Sequence, residues 1–114
     1  MIQFVNVSKV FPNGAVGVEH VNLEIEKGEF LTLVGPSGAG KTTLTKFISA
    51  EESPSEGTVL YDNVDLQTFS SSELTSLRRK IGTVFQDFRL LASKTAYENI
   101  AFAMEVAGRT DDEI

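Results

Sequence analysis

Gly35-Pro36-Ser37-Gly38-Ala39-Gly40-Lys41-Thr42 sets three glycines, a lysine and a hydroxyl in the spacing G-x-x-x-x-G-K-[ST]. These residue types suit one kind of ligand, a chain of phosphates. Phosphate oxygens must come close to the main chain, and Gly35, Gly38 and Gly40 remove the side chains that would keep them away. The backbone N–H groups at the start of a following helix then form a concave anion site, reinforced by the helix dipole. Lys41 is long enough to reach the β- and γ-phosphates, and the Thr42 hydroxyl is a ligand for Mg2+. Thr43 adds a further hydroxyl near the α-phosphate, while Pro36, Ser37 and Ala39 complete the loop.

The pattern takes its meaning from its flanks. Residues 29–34 form a short, mostly apolar run that reads as a buried strand, and residues 42–48 space their apolar members as a helix does. Strand, glycine-rich loop and helix in that order make a phosphate site. In another setting the same residues would be a glycine-rich turn with an incidental lysine.

Several elements must hold this loop in place. Residues 2–7, 21–25 and 30–34 read as strands, and the second alternates, with Val21, Leu23 and Ile25 on one face. Asn13-Gly14 and Lys27-Gly28 mark turns. Connections that short favour antiparallel neighbours, so an antiparallel β-subdomain precedes the loop. The helix after the loop must end before Ser53-Pro54. Residues 57–61 make another strand, closed by an Asp62-Asn63 turn, and residues 81–85 one more. Ser70…Glu73 and Thr95…Glu98 are capping boxes for two further helices. In the second of these, Tyr97, Ile100, Ala101 and Met104 share a face; Phe102 and Val106 lie off it, either as extra core or as an exposed surface. Thr110…Glu113 is a third capping box at the end of the sequence, which suggests the N-terminal part of a longer protein.

At 114 residues the chain has room for one small domain. A net charge of −6, spread along the chain, lacks the basic stripe of a nucleic-acid groove. The absence of cysteine excludes disulfides and cysteine metal sites. No apolar run approaches the length of a membrane span. His20 and the Arg78-Arg79-Lys80 run read as surface residues, the latter complementing a helix C-terminus.

The order of features resembles the ATP-binding subunits of ABC transporters. Val7-Ser8-Lys9-Val10-Phe11 is followed by Glu26-Lys27-Gly28-Glu29-Phe30, the loop, Glu56-Gly57-Thr58-Val59, and then Ile81-Gly82-Thr83-Val84-Phe85-Gln86-Asp87. Residues 85–106 are especially similar to the cell-division branch of that family. The resemblance covers essentially the whole chain. It implies an α/β fold of the P-loop NTPase class, ABC ATPase type: an N-terminal antiparallel β-subdomain plus the first part of the nucleotide-binding core sheet.

The resemblance also implies roles. Phe11, which by type alone is an ordinary core aromatic, matches the residue that stacks on adenine. Gln86, otherwise a solvated polar residue at a strand end, matches the glutamine that contacts Mg2+ and the attacking water. Lys41 and Gln86 would be catalytic, Thr42 and Gln86 would hold the metal, and residues 35–43 with Phe11 would bind ATP. The family further implies a homodimer, an integral membrane partner subunit and a peripheral position on the cytoplasmic face of the plasma membrane. Its signature motif, acidic Mg2+-binding strand, catalytic glutamate and switch histidine do not occur among these residues. Asp87 lacks the preceding apolar strand that the acidic motif requires. Residues 1–114 are therefore expected to be the N-terminal part of a single nucleotide-binding domain that hydrolyses nothing by itself.

Two other readings come from the residues. One is a small kinase or GTPase, although the Asn-Lys-x-Asp guanine motif is missing and neither class needs antiparallel strands before the loop. The other is a nucleotide-responsive scaffold without turnover, distinguished by the acidic pair that an enzyme requires.

Overall fold

Asn13-Gly14 folds the chain back on itself between two long strands, β1 (Ile2–Val10) and β2 (Val16–Ile25), which pair antiparallel. The Phe11 N–H donates to the Ala15 carbonyl and the Gly14 N–H to the Phe11 carbonyl, each at 2.8 Å, and Gly14 takes a φ of +84° that closes the turn. The computed structural model describes all residues 1–114, in two compact units, Met1–Arg78 and Arg79–Ile114.

In the first unit, β3 (Glu56–Tyr61) pairs antiparallel with the other side of β1, and β4 (Val64–Asp65) completes a sheet of order β2-β1-β3-β4. The Asp62-Asn63 turn between β3 and β4 has both residues at positive φ, +47° and +64°, as a two-residue hairpin demands. Helix α1 (Lys41–Ile48) lays Phe47 on the sheet, a single 3-10 turn follows at Leu66–Thr68, and the unit ends at Arg78, one residue before the end of α2 (Ser71–Arg79). Phe4, Val7, Val18, Phe47, Val59, Leu66 and Leu77 form the core. Phe4 stands opposite Val59 across the β1–β3 ladder, so the central strand supplies the middle of that core.

The second unit is built on α3 (Ala96–Val106). Its capping box is complete: Thr95 Oγ1 accepts from the Glu98 N–H, and the Glu98 carboxylate accepts from the Thr95 N–H at 2.7 Å. Asn99 ties the preceding loop to the helix, accepting from the Leu91 N–H at 2.8 Å and donating to the carbonyls of Leu91, Lys94 and Thr95.

Some expectations need correction. Neither residues 30–34 nor residues 81–85 form a strand, and Phe30, Val34 and Val84 are exposed. A strand exists through its ladder hydrogen bonds, and neither segment has a laddered neighbour. The shared face of α3 is not buried as a whole, since Tyr97 and Ile100 are exposed and only Ala101 is fully covered. Phe102 and Val106 are exposed as well. The capping box at Thr110 makes a turn rather than a helix, with the Glu113 carboxylate accepting from the Thr110 N–H at 2.9 Å. No helix is long and apolar enough to cross a membrane.

Candidate phosphate site

Helix α1 opens without a side-chain cap. Gly40 is its N-cap residue, at φ +95°, and offers no side-chain oxygen to the N–H groups of the first turn. Those groups are the donors that a helix leaves unpaired at its start, and they are aimed where an anion would sit. Gly40 is also where the loop meets the sheet. A β-carbon there would collide with the Gly17 carbonyl and lie 2.6 Å from Val18 Cγ1 on β2. The loop is seated against β2 through a position that only glycine can occupy, on grounds of both space and dihedral.

The rest of the loop is exposed. Gly38, at φ +82°, has open space where its β-carbon would be, so its requirement is conformational. The Ala39 N–H donates to the Pro36 carbonyl at 3.1 Å, which fixes the turn over Ser37 and Gly38. Lys41 curls back over this turn, and its ammonium donates to the carbonyls of Gly35 and Pro36, the latter at 2.7 Å. An ammonium carries three donors, so Lys41 can meet an anion from this position while still touching the loop. Thr42 is exposed at the first turn of α1, and its carbonyl accepts from Thr45 Oγ1 at 2.8 Å.

Gly17 organises the far side. A β-carbon at Gly17 would lie 2.8 Å from Phe11 Cε2 and 3.4 Å from both Cγ2 and Oγ1 of Thr43. Phe11 from the β1–β2 turn and Thr43 from α1 therefore converge on one point of β2. Of the residues singled out in the sequence, Phe11, Gly40 and Thr43 meet at Gly17 and Val18 of β2, while the Lys41 ammonium stays on its own loop. Gln86 lies in the second unit, exposed, in a turn closed by the Phe88 N–H to the Phe85 carbonyl at 3.1 Å. Arg89 flanks that turn, stacked 4.0 Å over the Phe85 ring and paired with Asp87 at 3.5 Å.

Sequence reasoning passed over Gly17. The strand pattern read from the sequence begins only at Val21, and a glycine marks close approach of another backbone only once it is placed inside a strand. His20 is exposed as expected, but inside β2 rather than before it, and its Nδ1 lies 3.1 Å from Asn6 Oδ1.

Comparison with known proteins gives this geometry its context. Residues 18–114 match the ABC transporter family. The chain is 48% identical over 108 residues to the cell division ATP-binding protein FtsE of Bacillus subtilis, spanning 95% of this chain and 47% of that protein. It is 44% identical over 107 residues to the methionine import ATP-binding protein MetN of Helicobacter pylori, spanning 94% of this chain and 33% of the relative. The chain thus covers half or less of these curated relatives. Its fold superposes on the dimeric structure of the bacterial ABC transporter cassette MJ0796 with a TM-score of 0.87, at 38% identity, over 99% of this chain and 52% of that one. A second structure of that cassette, in a post-hydrolysis state bound to ADP and phosphate, superposes with a TM-score of 0.86. A glycine-seated loop of the G-x-x-x-x-G-K-[ST] pattern, an antiparallel N-terminal sheet and these likenesses lead to one conclusion: the chain belongs to the ABC transporter family, as part of its ATP-binding cassette.

Proposed function

We propose that this chain binds ATP with Mg2+ and that the whole protein hydrolyses it to drive or gate an integral membrane partner. The observation that carries the reading is the convergence of Phe11 and Thr43 on Gly17, which sets an aromatic ring beside the helix that the phosphate loop opens. In this reading Phe11 stacks on adenine. The N–H groups of residues 35–43 hold the phosphates, and Lys41 neutralises charge on the β- and γ-phosphates. The uncapped start of α1 fits a phosphate, and the exposed Thr42 beside it fits a phosphate-bound cation, with the Thr42 hydroxyl as its ligand. A bound Mg2+, held by the Thr42 hydroxyl, would supply charge neutralisation to the phosphates. Gln86 enters by resemblance as the residue that meets the metal and the attacking water.

Residues 1–114 are, in this reading, the first part of a single nucleotide-binding domain, and hydrolysis waits on motifs that these residues do not contain. Two copies of the whole protein would enclose two nucleotides, on the cytoplasmic face of the plasma membrane. An FtsE-like role in cell division beside an FtsX-like membrane subunit is favoured by the higher identity to FtsE and by residues 85–106. A MetN-like import role is the alternative, supported at 44% identity.

The reading is tested by titrating the chain with a fluorescent ATP analogue, with and without Mg2+, and displacing it with unlabelled ATP. Saturable, Mg2+-enhanced binding that ATP displaces and that Lys41→Ala abolishes is expected. Binding indifferent to Lys41 would overturn it. Co-purification of the whole protein with either membrane subunit separates the division role from the import role.

A further inference from the structure

Lys9 lies near the end of β1, and Phe11 follows just beyond it where the chain enters the turn to β2. Lys9 Nζ lies 5.5 Å from the centroid of the Phe11 ring, within the range at which a ring quadrupole attracts a cation. The ammonium does not float there. It donates to the Ser53 carbonyl at 2.7 Å and pairs with the Glu52 carboxylate at 3.2 Å, and the Lys9 side chain is only 15% exposed.

Both anchors are fixed in turn. The Glu52 N–H donates to the carbonyl of Lys46 in the last turn of α1, at 3.3 Å. The Ser55 N–H donates to the Ser8 carbonyl at 2.9 Å, and Ser55 Oγ accepts from the Val10 N–H and donates to the Val10 carbonyl. Residues 52–55 therefore strap the far end of the phosphate-loop helix to the strand end that carries Phe11. Lys9 is the one link of this strap that reaches the ring, and Gly17 bounds the ring's edge on the other side.

We propose that Lys9 is a positioning residue for the base: it holds the Phe11 ring at a set distance from the phosphate helix, so that adenine and triphosphate are met together. The proposal rests on the assignment of Phe11 to adenine made above. A lysine that served only the strand end would affect stability and leave base recognition alone.

The test compares ATP with inorganic tripolyphosphate, which has the phosphates and no base, as competitors of a fluorescent ATP analogue on the full chain. Lys9→Met is expected to weaken ATP binding about five- to tenfold while leaving tripolyphosphate unchanged, and Lys9→Arg to restore ATP binding to within about twofold. Lys9→Gln, which keeps a donor for the Ser53 carbonyl, should behave as Lys9→Met and serves in its place if the methionine variant fails to fold. Unchanged ATP affinity in the neutral variants overturns the proposal, as does an equal loss for both competitors. Phe11→Ala separates the two levels. If it weakens ATP alone while the Lys9 variants do nothing, the Lys9 role fails and the adenine assignment stands. If Phe11→Ala leaves ATP binding intact, the adenine assignment fails and the Lys9 role with it.

Discussion

The ring of Phe47 lies 6.4 Å from that of Phe4, centroid to centroid, with the planes inclined at 55°. This contact fastens the phosphate-loop helix to the central strand, and both residues are almost fully buried. Phe47→Ala is expected to cost about 3–5 kcal/mol, through lost transfer energy and the cavity left behind. Urea denaturation measures it. A loss below about 1 kcal/mol would mean that α1 is held by something other than this pair. A double-mutant cycle with Phe4→Ala should return a coupling of about 0.5–1.5 kcal/mol.

Gly38 and Gly40 make a controlled comparison, because both have positive φ but only Gly40 is crowded. Gly38→Ala should cost about 1–2 kcal/mol, the penalty for an L-residue in the left-handed region. Gly40→Ala adds a collision with the Gly17 carbonyl and must move the loop off β2. It should therefore cost more stability and abolish binding of triphosphate. The reverse ranking in thermal unfolding would contradict the seating of the loop on β2.

Lys41→Ala should leave stability within about 0.5 kcal/mol, because the ammonium bonds only to carbonyls of an exposed loop. Triphosphate binding should nonetheless collapse, and ATP turnover by the whole protein should fall by orders of magnitude. Circular dichroism beside a phosphate-release assay checks both halves of the prediction.

Phe11 distinguishes stacking from plain packing. Phe11→Ala should weaken ATP binding by about 1–3 kcal/mol, and Phe11→Tyr should be nearly silent. A core role would instead lower the melting temperature at unchanged affinity per folded molecule.

The capping box of α3 carries a pH signature. Hydrogen bonding by the Thr95 backbone N–H, then by its hydroxyl, holds the Glu98 carboxyl below its ordinary value, with a smaller contribution from Lys94 opposed by desolvation. The ionised form is thus favoured in the folded chain. Its contribution is present above the titration of the unfolded chain and is lost as pH falls through the lowered folded value. Acidification through the carboxylate range should therefore reduce the helicity of α3, and Glu98→Gln should flatten that decline. Thr95→Ala should cost about 1 kcal/mol at neutral pH. An identical acid profile in parent and Glu98→Gln would show that the box makes no charged contribution.

Local signals were the legible ones. Both capping boxes that begin helices are spelled out within four residues, and the glycine-rich loop carries its geometry in its own composition. β4 has two residues and thus no period to read, and β2 begins earlier than its alternation because Gly17 and the positive φ of His20 interrupt it. Residues 30–34 and 81–85 show the opposite failure. Their apolar runs are strand-like, but a ladder is a property of two segments, and one segment cannot display it. The strap from Lys9 to Ser53 spans 44 residues, so nothing near Lys9 announces it. In the site, the loop was readable and the meeting of Phe11 with Thr43 was not, because that meeting is made by a third residue on another strand.

The strand order has a kinetic consequence. β1 and β2 are neighbours in sequence, and their hairpin can close on its own within microseconds. β3 joins the opposite side of β1 only after residues 26–55, the phosphate loop and α1 among them, have been looped out. Closing a loop of that size costs about 3 kcal/mol of chain entropy beyond a constant, a cost met before the β1–β3 ladder and the Phe4–Phe47 contact return anything. The phosphate loop is thus the contents of the loop whose closure completes the sheet. In refolding, competence to bind triphosphate should emerge with the slow pairing of β1 and β3, after the fast hairpin signal has already saturated.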